Sequence, residues 1–72
     1  MNQEFDFIFK GHKITVYQAD RTAIDEPIMW VWEIIKPMEH EYRAVAVSTK
    51  EYGRHHFHRA IQDALFKLEE II

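Results

Sequence analysis

Residues 28–36 read Ile28-Met29-Trp30-Val31-Trp32-Glu33-Ile34-Ile35-Lys36. On a two-residue period, Ile28, Trp30, Trp32 and Ile34 fall on one side, and Met29, Val31 and Ile35 on the other. The length and the β-branched and aromatic content suit a strand. Apolar residues on both faces make it a central strand or one covered on both sides. The rest of the fold has to be built around this stretch.

Upstream, Phe5, Phe7 and Phe9 alternate with Glu4, Asp6, Ile8 and Lys10, which predicts a first strand over 4–10 with one aromatic face. Lys10-Gly11-His12 supplies a turn, because Gly11 tolerates a positive φ. A second strand follows over 12–18, with Ile14 and Val16 set against Lys13, Thr15 and Tyr17. The segment from Ala19 to Pro27 is a polar, acidic connection. Downstream, residues 37–41 read as a turn and 42–48 as a fourth strand, in which Ala44 and Ala46 would let a helix approach closely.

The period then changes to that of a helix. Phe57, Ala60, Ile61, Ala64, Leu65, Leu68, Ile71 and Ile72 recur at spacings of three and four. Ser48-Thr49-Lys50-Glu51 fits a capping box and predicts a helix over 50–72. Gly53 would cost that helix about 1 kcal/mol, so a start near Arg54 is an equal alternative. Phe66 lies about 180° from Phe57 on the helical wheel, among Arg59, Gln62 and Glu70.

The expected fold is therefore α+β: an antiparallel sheet of three to four strands with one C-terminal amphipathic helix packed on one face. The other sheet face lacks a cover, and a homodimer or a partner protein is the simplest one. Trp30, Trp32, Phe5, Phe7, Phe9 and Phe66 are the candidate interface residues, although tryptophans and strand phenylalanines of this kind are more often core.

Three successions carry a resemblance: Phe9-Lys10-Gly11-His12-Lys13-Ile14, Trp30-Val31-Trp32-Glu33-Ile34 and Ala60-Ile61-Gln62-Asp63-Ala64-Leu65. Together they resemble small uncharacterised bacterial domains with a three- or four-stranded sheet and a C-terminal helix. Every matched position is a turn or core residue. The resemblance implies a fold and no activity.

Composition bounds what such a domain does. Seventy-two residues make one domain. A chain of this size is near the lower limit of independent stability, and without cysteine it has no disulfide to support it. Its apolar content of 47% and aromatic content of 14% compensate. A formal net charge of −3 argues against nucleic acid and membrane surfaces, both polyanionic. The opening MNQEFDFIFK does not read as a signal peptide, and no run has the apolar length of a membrane span, so the cytoplasm is the expected location.

The charges near the helix run against its dipole. Lys50, Arg54, His55, His56, His58 and Arg59 precede Asp63, Glu69 and Glu70. A helix start carries partial positive charge, so a basic start is mildly unfavourable and hints at an anion to be met. These six residues are the candidate anion or nucleic-acid site. The competing reading pairs Arg54 and Arg59 with Asp20, Asp25 and Glu26 in the acidic connection, and net charge favours it.

His55 and His58, with His12 or His40, have the residue types for a transition metal. Flanking Arg54 and Arg59 repel a cation, however, and no metal or other cofactor is expected. Asp25-Glu26 and Glu39-His40-Glu41 lie in expected turns, without the burial that shifts a carboxylate toward acid–base work. Ser48, the only serine, is better used as a cap. The reading is a protein-interaction or regulatory module, homodimeric, with no enzymatic activity; the alternative is a nucleic-acid-binding module using the basic segment.

Overall fold

The computed structural model describes residues 3–19, 25, 27–37 and 41–72, with only the backbone described at Tyr42. Strands β1 (Glu4–Phe9), β2 (His12–Gln18), β3 (Met29–Pro37) and β4 (Tyr42–Val47) form an antiparallel sheet in sequence order. A two-residue strand, β5 (Tyr52–Gly53), also pairs with β3, and helix α1 (Phe57–Ile71) follows. The expected α+β class and the central place of β3 are both found.

The β1–β2 hairpin closes on Lys10 and Gly11, with φ of 51° and 75°. Two successive positive φ values give the type I′ turn, whose twist matches that of the flanking strands. Register follows from it: Phe5 faces Val16 and Phe7 faces Ile14, and β2 in turn sets Ile14 against Ile34 and Val16 against Trp32. Every apolar residue in these pairs therefore points to the same side of the sheet.

That side is the core. Ile14, Val16, Trp30, Trp32, Ile34, Tyr52, Ala60, Ala64 and Leu68 are buried together, with Phe7, Ala46, Phe57, Ile61 and Leu65 packed around them. The helix approaches closely because Ala60 and Ala64, both fully buried, are what it presents to the two indole rings and their neighbours. Trp30 joins Phe5 and Phe57 in a ring cluster with centroid separations of 6.0, 4.9 and 4.8 Å. Such tilted and edge-on rings gain beyond their buried area.

Two expectations need correction. Ala46 lies on the helix side opposite Ile34, but an irregularity between Ile34 and Ile35 puts Ala44 opposite Ile35, exposed on the far face. The helix also begins at Phe57 and not at residue 50. Ser48 is not a helix cap: its backbone N–H donates to Trp32 O at 2.9 Å, and its Oγ accepts from Trp32 N–H at 3.2 Å. The side chain thus supplies the ladder acceptor where the fourth strand leaves the sheet. The chain bends over Thr49 and Lys50, then rejoins β3 with Tyr52 opposite Trp30.

Candidate functional site

Trp30 and Trp32 are each only 6% exposed, and Phe7 packs against the core. All three hold the sheet to the helix. Each indole N–H also has an acceptor, Arg54 O at 3.3 Å for Trp30 and Tyr52 Oη at 3.3 Å for Trp32. Phe5 and Phe9 remain partly exposed along the edge strand.

Tyr52 joins the sheet to the helix through polar groups. Its hydroxyl donates to Asp63 Oδ2 at 2.6 Å while accepting from the Trp32 indole. Lys50 completes the group, with Nζ 3.8 Å from Asp63 Oδ2 and 5.1 Å from the centre of the Tyr52 ring. Burial raises the Tyr52 hydroxyl above its ordinary value of 10.0, and the bond to Asp63 adds to that, since both favour the protonated form. Sequence reasoning missed this residue. A signal was present: in a helix over 50–72, Tyr52 falls about 40° from Phe66 on the wheel, which would put a second large aromatic in solvent.

The basic candidates separate. Lys50 belongs to the Tyr52–Asp63 group, and Arg54 lies in the turn before the helix, its carbonyl held by Trp30. His55, His56, His58 and Arg59 are exposed and line one shallow depression with Gln62. His56 occupies the N-cap position without a side-chain capping bond, so only His58 and Arg59 put basic groups in the first turn. Neither Arg54 nor Arg59 forms an ion pair among the described residues.

Asp25 is exposed, while Asp20, Glu26, Glu39 and His40 lie outside the described residues. His12 sits at the β1–β2 turn with Nδ1 2.9 Å from Lys10 O. Among the described residues, no three His, Asp or Glu side chains converge as metal ligands.

Phe66 is where the wheel puts it, 71% exposed in the middle of α1. With Gln62, Leu65 and Glu69 it lines a shallow depression on the outer helix face. These four residues, at i, i+3, i+4 and i+7, form the diamond that receives a side chain from a facing helix in knobs-into-holes packing. Surface ion pairs flank it: Lys10 with Glu69 at 3.5 Å and Lys67 with Glu70 at 3.4 Å. The uncovered sheet face differs in kind. It exposes Ile8 and Val47, but it carries Glu4, Asp6 and Glu33 against Lys13. At its centre Thr15 is buried, its Oγ1 without a hydrogen-bond partner among the described residues.

Among the described residues no helix is long and apolar enough to cross a membrane. No protein-family model, curated protein or solved structure matches the chain, so the bacterial-domain resemblance extends to the order of strands and helix alone.

Proposed function

We propose that this chain is a small protein-interaction module that acts by self-association, serving as an accessory or regulatory protein through binding rather than catalysis. The observation that carries the reading is Phe66, a large aromatic left in solvent at mid-helix while the opposite side of the same helix is fully buried. Side chains of this type are enriched at protein interfaces, where the ring gains burial at little rotamer cost. Buried tryptophans with an exposed Phe66 favour the helix side over the sheet. Light scattering across a concentration series tests the reading: the apparent mass should rise toward twice 8.7 kDa, and a mass that stays monomeric throughout would sink it.

A second reading has its own observation, the exposed group of Arg54, His55, His56, His58 and Arg59 at one end of the molecule. With four of the five lining or adjoining one depression, it is suited to a phosphate-bearing strand. A titration with single-stranded and duplex oligonucleotides at low salt checks this, where phosphate contacts are strongest; no binding there rejects it.

A further inference from the structure

Along the outer stripe of α1 stand Arg59, Gln62, Phe66, Glu69 and Glu70, all within about 60° of Phe66 on the wheel; Asp63, at the same angle on one edge, is engaged by Tyr52 and Lys50. The stripe is basic at one end, acidic at the other and aromatic in between. The geometry points to one occupant for it: α1 of a second copy of this chain, packed antiparallel about a two-fold axis. This inference rests on the self-association reading above and names the face and orientation.

Three observations support a second copy. A two-fold interface must be self-complementary. With the axis level with Ala64, Arg59 stands five positions to one side and Glu69 five to the other, so Arg59 of each copy faces Glu69 of the other. Phe66 faces Gln62 in the same register. The two rings then lie about 6 Å apart along the axis, from a rise of 1.5 Å per residue, within the range of aromatic pairing.

Arg59, second, is the stripe's only cation and has no ion pair among the described residues. Among the described residues Glu69 and Glu70 have only exposed lysine partners, which are worth little and exchange readily. Third, the charge order that disfavours a lone helix becomes favourable in an antiparallel pair. Each acidic end then lies beside the partner's helix start, where the dipole is positive. The sheet face carries the carboxylates Glu4, Asp6 and Glu33 beside Lys13 and lacks this end-to-end separation of charge.

One face of a 15-residue helix, about 22 Å long, makes a small contact of the weak, transient class. Sedimentation equilibrium at high protein concentration and low salt is therefore the measurement, applied to the wild type, R59E, E69R, F66A, V47K and an equimolar mixture of R59E with E69R. Each single charge reversal sets two like-charge pairs across the axis and should weaken the dimer roughly tenfold or more. The mixture should restore it as a heterodimer, since both cross pairs are again opposite in sign. F66A should weaken it and V47K should leave it unchanged. All the substituted residues are exposed or half-exposed, and thermal melts confirm that each variant is folded. A wild type that stays monomeric overturns both this pairing and the self-association reading. A dimer indifferent to R59E, E69R and F66A, or one broken by V47K, overturns the antiparallel α1 pair alone.

Discussion

The hydroxyl of Tyr52 donates to Asp63 Oδ2 at 2.6 Å, tying a two-residue strand to the middle of the helix. The same oxygen accepts from the Trp32 indole, so one atom joins three elements of the core. Replacing Tyr52 by Phe removes the oxygen and leaves a buried indole N–H unpaired. The expected loss is about 1–3 kcal/mol, read from urea unfolding. An unchanged midpoint would mean that water replaces the hydroxyl at no cost.

The same residue sets an alkaline limit on stability. Its hydroxyl titrates above 10.0 in the folded chain, so folding favours the protonated form. That contribution is fully present below pH 10.0 and is lost as pH rises through the raised value. The melting temperature should therefore fall above pH 10.0 more steeply in the wild type than in Y52F. Parallel curves would remove Tyr52 as the cause.

Size is a poor guide to which helix side chain matters. Leu68 is fully buried, whereas the larger Phe66 is mostly in solvent. At dilutions that keep the chain monomeric, L68A should cost about 2–5 kcal/mol by leaving a cavity under the helix. F66A should fall within about 0.5 kcal/mol of the wild type, as exposed positions do. A large loss for F66A in dilute solution would show that its ring packs within the monomer.

Ser48 distinguishes a sheet role from a helix role. Because its Oγ accepts from the Trp32 amide, S48A should speed hydrogen exchange at Trp32 and leave the first turn of α1 unaffected. The opposite pattern, fraying near Phe57 with Trp32 unchanged, would restore the capping role that Ser48-Thr49-Lys50-Glu51 spells locally.

In the β1–β2 turn, Lys10 holds a φ of 51° that ordinary side chains avoid, and Gly11 holds 75°. K10N should raise stability by up to about 1 kcal/mol, since Asn-Gly is the preferred pair for this turn. G11A should lower it by roughly 1–2 kcal/mol even though a Cβ there meets no atom, because the cost is in the backbone. Thermal melts of the two variants should move in opposite directions.

The strands, the turn at Gly11 and the apolar stripe of α1 were legible because each rests on local periodicity. The segment between Ser48 and His56 was not. There Ser48 is engaged by a β3 amide, and Tyr52 by an indole and a carboxylate distant in sequence. Those tertiary bonds outweigh a local capping signal, and Gly53 was the visible warning. Of the candidate surface, Phe66 followed from the wheel alone. The tryptophans were ambiguous, because a two-sided strand does not say which of its faces will be covered.

Since β2, β3 and β4 each pair with the strand before them, the order of synthesis has a consequence for the nascent chain. The sheet can form hairpin by hairpin as it emerges, but α1, which closes the core, is made after every strand. Until then both indole rings stand on an open apolar surface. A protein cut before Phe57 should keep the tryptophan fluorescence of a solvent-exposed ring. The helix decides whether the indoles are hidden.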